Sequence, residues 1–202
     1  IGASASLLLP NCLPEPDGVS TSLDRIMVFF DMAIGATTFL EAHQAQFERA
    51  LTSVSAVRSL TNLATLQRVS DEDRDVMDRV VRITSRHSAG RSQLKHALYQ
   101  KAIERLCLCF TADSVKGFCL SFPKYCGPEF TAAVKQEDPM ALILLEYWAV
   151  LLHRLKGDYW WIRSVGKETI VEISCKLSKT ILWDEPEVAD AVCWPLEQTE
   201  HI

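Results

Sequence analysis

"DPMALILLEYWAVLLHRLKGDYWWIRSVG", residues 138–166, decides the fold. Asp138 can accept hydrogen bonds from the open amides of a helix start, and Pro139 falls in the first turn, where its missing N–H costs nothing. Leu144, Leu145, Trp148, Leu151, Leu152 and Leu155 then form a broad apolar helical face, which Gly157 ends. Beyond it, Trp161, Val165, Thr169, Ile173, Leu177 and Ile181 share one helix face by their spacing, and predict a second helix from Asp158 to about Thr180. The pair is an αα-hairpin joined at Gly157. The apolar window from Ala141 to Leu155 contains Glu146 and His153 and is shorter than the ~20 residues of a membrane-spanning helix, so no span is expected. Tyr147, Trp148, Tyr159, Trp160 and Trp161 read from the residues alone as core or interface first and as a pocket wall second, because each ring offers large apolar area and a polar atom that needs a partner.

Outside the hairpin the same helical spacing recurs. Residues 1–22, with Pro10, Pro14, Pro16 and Gly18, read as an irregular leader or linker, and residues 23–202 as one helical domain. The leader lacks a basic, signal-like start and reads as an internal beginning. Ser20, Thr21 or Ser22 can cap a long or kinked helix over Leu23–Leu51, with Phe30 and Ile34 on its apolar side. Ser55–Gln67 is expected to be a short helix or the tail of the previous one. Ser70 followed by Asp73 makes a capping box for a helix carrying Val76, Met77, Val80 and Ile83, interrupted by "SAG" at 88–90. Leu94, Leu98, Ala102, Leu106 and Cys109 predict the inner face of a helix over Arg91–Phe110, and Ser114–Phe122 a short one. Asp184 and Pro186 repeat the cap-and-proline signal for a final short helix, after which "WPLEQ" at 194–198 follows. No stretch alternates as a strand does. The expected fold is all-α, a single orthogonal or irregular helical bundle with the hairpin at its carboxyl end.

Charge and motifs narrow the function. The 202 residues carry 26 acidic and 21 basic side chains, a formal net charge of -5 without a basic stripe, so this chain is not itself expected to grip nucleic acid. A mean hydropathy of +0.05 is high for an isolated soluble domain and points to an additional covered surface or a ligand. Seven cysteines in settings such as "LCLCF" read as free buried thiols in a reducing compartment. Their spacing makes no zinc site, and neither a metal nor a cofactor is expected. GxGxxG, GxxxxGK, HExxH and GxSxG patterns are absent. "SDEDRD", residues 70–75, is explained by a helix start rather than a magnesium site. His153 reads as an edge residue near a helix carboxyl end, where the dipole favours its charge, or as a polar group orienting a ligand.

Residues 138–177, together with "LWDEPEVADAVCWPLEQ" at 182–198, closely resemble the regulatory domain of fungal zinc-cluster transcription factors, within them the sterol uptake control group. Leu142, Leu144, Trp148, Ala149, Leu152 and Leu155 carry the likeness in the first helix, Trp160, Trp161 and Gly166 after the turn, and Trp194 and Pro195 in the closing segment. The resemblance implies a ligand-responsive transcription regulator of cytoplasm and nucleus. Its helical domain would take a sterol, terpenoid or similar apolar molecule, with a homodimer possible, and a separate amino-terminal domain, absent here, would bind DNA. Helix phase then nominates Phe30, Ile34, Leu144, Trp148, Leu152, Trp161 and Val165 as pocket wall, with Tyr147 and His153 as polar contacts. Two other readings stand beside it. One is a cofactor-independent isomerase or cyclase acting on an apolar intermediate, which would need an acid such as Glu146 or Asp31 in the pocket. The other is a dimerisation or coactivator-interaction module without a ligand.

Overall fold

The computed structural model describes residues 21–42, 70–88, 93–111, 118–162 and 164–200. Among them every regular element is helical: α1 (Ser22–Ala42), α2 (Asp71–Ser88), α3 (Gln93–Thr111), α4 (Phe122–Cys126), α5 (Pro128–Lys135), α6 (Pro139–Arg154), α7 (Val165–Leu177) and α8 (Pro186–Gln198). Short 3-10 turns at Phe118–Ser121, Trp160–Ile162 and Ile181–Asp184 link them. The all-α irregular bundle expected from periodicity is the fold.

Local chemistry sets the starts. Thr21 and Asp24 close a reciprocal box on α1, the Asp24 amide donating to Thr21 Oγ1 at 3.0 Å and the Thr21 amide to Asp24 Oδ2 at 3.1 Å. Ser70 accepts from the Asp73 amide at 3.0 Å, but the Asp73 carboxylate turns away to Arg154, 2.8 Å distant, and ties α2 to the end of α6. Asp138 caps α6 as expected, its Oδ1 accepting from the amides of Met140 at 3.1 Å and Ala141 at 3.4 Å. Between α4 and α5 the chain turns through Gly127 at φ 82°, a left-handed conformation that favours glycine.

α6 runs through the middle. Every residue from Met140 to His153 is buried, so what periodicity showed as a broad face is a helix covered all round, against α2, α3, α5, α7 and α8. Its fullest contact is with α7. The two run antiparallel, since Ser174 meets Glu146 at one end and Gly166 meets His153 at the other. A Cβ on Gly166 would stand 2.6 Å from the His153 amide nitrogen and 2.9 Å from the Ala149 carbonyl oxygen, so glycine is what lets the two backbones touch.

Several expected boundaries move. The second hairpin helix starts at Val165, because residues after Gly157 form a turn and the 3-10 piece first. "WPLEQ" belongs to α8 itself, with Pro195 inside the helix, and the residue before α8 is Glu185 rather than Asp184, with no side-chain cap bond. Leu94 was expected inside and is 78% exposed; Ala102, Leu106 and Cys109 of the expected row are buried, and Tyr99, Ile103 and Phe110 join them on the inner face of α3. Cys107, Cys109, Cys119, Cys126 and Cys193 are free thiols, but Cys175 is disulfide-bonded, which corrects the expectation of free thiols throughout. The expected helix over Ser55–Gln67, the Leu23–Leu51 helix beyond Ala42 and the leader before Thr21 lie outside the described residues.

Candidate functional site

The nominated wall residues separate into two groups. Phe30, Leu144, Tyr147 and Trp148 are fully buried in the core. Trp148 is boxed by rings: Phe30 edge-on at 5.2 Å between centroids, Phe122 stacked at 5.7 Å and Phe29 stacked at 6.2 Å. Its indole N–H donates to the Cys119 carbonyl at 2.8 Å. The Tyr147 ring stacks on Trp194 at 5.4 Å and its hydroxyl donates to the Ala191 carbonyl at 2.7 Å, so its polar atom is spent on α8. These rings fill the interior. Helix phase could show that they face inward; it could not show whether another ring or a ligand stands opposite.

Leu152 and Val165 are the two nominated residues that reach a groove. An open groove of about 410 Å³ lies where α1 crosses the α6–α7 hairpin, lined by Ile26, Val28, Phe29, Met32, Leu152 and Val165, with Arg25 as its one charged lining residue. This volume falls in the ~300–1,000 Å³ range of small-molecule sites. Ile34 is half-buried and stands beyond this lining, and the side chain of Trp161 lies outside the described residues. Sequence reasoning missed Val28, Phe29 and Met32. Val28 is 59% and Met32 68% exposed, and on a helix apolar on several sides periodicity does not single out an exposed apolar pair.

Carboxylates hold the upper edge of this groove. Ser22 Oγ donates to Glu168 at 3.2 Å and the Leu23 amide to Glu172 at 3.0 Å, while Arg25 pairs with Glu168. Burial pushes the Glu168 carboxyl up, but bonds from Ser164, Arg25 and Ser22 outweigh it and leave the group below the usual carboxylate range. Two glutamates one helical turn apart on α7 thus pin the amino end of α1 to α7.

His153 is buried and does not line the groove, and burial followed by the charges of Lys156 and Lys167 holds its imidazole below the usual range. The dipole-stabilised charged edge residue expected from the sequence is therefore replaced by a neutral core histidine. Its Nδ1 has no hydrogen-bond partner, and its Nε2 stands 3.5 Å from the Lys156 ammonium. Glu146 is fully buried and takes a bond from Ser174 on one oxygen while the other has none. Burial drives its carboxyl far above the usual range, so it sits neutral between α6 and α7. Glu146 does not line this groove, and Asp31 is paired with Lys135 at 2.9 Å. Among the described residues no group of three or more His, Cys, Asp or Glu side chains could hold a metal ion, and no helix is long and apolar enough to cross a membrane.

Comparison of the chain with models of protein families, with curated proteins and with solved structures returns no match.

Proposed function

We propose that the chain is a ligand-responsive regulatory domain of a fungal zinc-cluster transcription factor, and that its ligand is a sterol or a similarly apolar molecule held between helices. The observation that supports this reading is the groove of Ile26, Val28, Phe29, Met32, Leu152 and Val165, apolar but for Arg25 at its edge. Open apolar surface in water is unfavourable at roughly 25 cal/mol per Å², and an apolar guest removes it. Phe29 lines the groove and stacks on Trp148, so occupancy would bear directly on the aromatic core. A ligand that fits one setting of α1 against the hairpin better than another shifts the population between them. Arg25, the one charged residue of the lining, would supply the polar contact.

Organic extraction of the purified chain, analysed by mass spectrometry beside a mock purification, tests this. A stoichiometric sterol or terpenoid is expected. A clean extract, with no thermal shift when sterols are added, overturns the reading.

A second reading is an interaction module. Val28, Met32 and Phe39 are exposed along α1, and Trp160 is 87% exposed after the hairpin turn, which is how interface anchors stand before a partner covers them. A clean extract together with a concentration-dependent dimer in sedimentation would favour it. Neither acid that the enzyme reading named, Glu146 or Asp31, lines the groove beside α1.

A further inference from the structure

A second groove, of about 500 Å³, lies on another side of the bundle between α3 and α5. The two helices run antiparallel here: Lys95 reaches Asp138, beyond the carboxyl end of α5, at 2.9 Å, while the Lys101 ammonium stands 3.8 Å from where a Cβ of Gly127, before its amino end, would be. Each helix contributes one face, Leu94, Ala97, Leu98 and Lys101 from α3 and Glu129, Ala132, Ala133 and Gln136 from α5. Alanines in the middle keep the trough open. From residue 94 to 101 the floor runs about 10 Å at ~1.5 Å per residue.

The ends differ in charge. At one end Lys95 is already neutralised by Asp138, itself held ionised by its bonds. At the other, among the described residues, Lys101 forms no ion pair. One turn further along α3, Arg105 bonds Ser121 at 2.7 Å, and its buried Nε has no hydrogen-bond partner. The fields of both cations reach the buried Cys126 thiol at the base of the groove. Glu129 is the opposing charge on this wall: it sits in the first turn of α5, and its Oε2 lies 3.2 Å from the same Gly127 Cβ position that the Lys101 ammonium approaches to 3.8 Å, so it competes with an anionic head. An apolar trough with a lysine outside any ion pair and a helix amino end at one extremity matches a molecule with one anionic head and one apolar chain.

We propose that this groove binds a single-chain amphiphilic carboxylate, of the medium-chain fatty acid class, with its head at Lys101 and its chain along Ala97, Leu98, Ala132 and Ala133 toward Leu94. The site is independent of the groove on α1 and of the regulatory reading. Titration calorimetry with decanoate, kept below its aggregation concentration, tests it. Saturable binding is expected, weakened at least fivefold in Lys101→Gln and for decanol, and tightened in Glu129→Gln, which removes the repelling charge. Ala133→Trp, a half-buried position filled from the trough side, should abolish binding. Met32→Glu on the other groove should leave it unchanged. Lys101 and Glu129 are exposed, so these variants keep the fold, which circular dichroism checks. No saturable binding of decanoate, equal affinity in Lys101→Gln, tighter binding of decyltrimethylammonium than of decanoate, or full binding by Ala133→Trp overturns the proposal.

Discussion

α1 and α6 are both rich in large apolar residues and meet on the same aromatic cluster, Phe30 of one against Trp148 of the other, yet they treat water differently. α6 hides fourteen successive residues, Glu146 and His153 included. α1 buries Leu23, Ile26, Met27 and Phe30 and leaves Val28, Met32 and Phe39 in solvent. A helix enclosed on all sides leaves no apolar surface unmet, whereas a helix that packs by one face and is apolar on others creates an open trough along its margin. The groove beside α1 is that margin. A site can therefore exist in this fold without any hole in the core, and the two helices should respond to substitution in opposite ways.

The largest effect belongs to the enclosed helix. Gly166→Val should cost about 3 kcal/mol or more, because a β-branched side chain would drive into the His153 and Ala149 backbone where even a Cβ has 2.6 Å. Urea unfolding measures it, and an unchanged midpoint would mean that α6 and α7 do not touch as described. Next comes Asp138→Ala, expected to cost about 2–3 kcal/mol: about 1 for the lost cap, and the remainder for leaving the buried Tyr99 hydroxyl, now 2.7 Å from Asp138, without its acceptor. Asp138→Asn keeps the cap geometry and should recover part of the loss.

A smaller effect separates two carboxyls of the same region by pH. Burial raises Asp138, but bonds from Tyr99 and Lys95 outweigh it and leave it below the usual range; its contribution is present above its unfolded value and is lost as pH falls through its folded one. Burial leaves Glu146 far above the usual 4.5, with only Ser174 pulling the other way. The folded state then holds a proton that the unfolded state gives up, so stability declines as pH rises from about 4.5 toward the folded value. Glu146→Gln removes that decline while keeping an acceptor for Ser174. Stability measured in urea at pH 5 and pH 8 should fall less between the two in the variant than in the parent chain. Equal slopes would place Glu146 in water.

These outcomes also show what could be read from the chain and what could not. The α6 start was legible because Asp138 and Pro139 act within one turn, and the all-α class because no segment alternates. The aromatic core was half legible: Trp148 and Phe30 face inward by phase, but Phe122 and Phe130 reach them from short helices bounded by prolines that periodicity hardly registers. Leu94 misled, since a row of apolar residues that begins one turn too early looks the same as one that is wholly buried. Of the candidate groove, Leu152 and Val165 were found from the hairpin alone. Val28, Phe29 and Met32 were not, because a groove is made by the angle at which α1 crosses, and spacing within one helix carries no information about a crossing.

The smallest expected effect on stability is the most informative about function. Leu152 lines the groove but is also buried in the core, so shortening it would cost roughly 2–5 kcal/mol and confound any loss of binding with loss of fold. Met32 lines the same groove at 68% exposure, and a polar replacement there should change stability by no more than about 0.5 kcal/mol. Met32→Glu adds to the apolar wall a charge that a sterol-like guest cannot solvate. If the groove beside α1 is the regulatory site, this variant keeps its urea midpoint, loses the ligand recovered by extraction, and no longer shows a thermal shift with added sterol. If the exposed row on α1 instead meets a second copy, the same substitution leaves extraction unchanged and lowers the association measured by sedimentation. One side chain, outside the core and inside the groove, thus separates the two readings without disturbing the helix on which both depend.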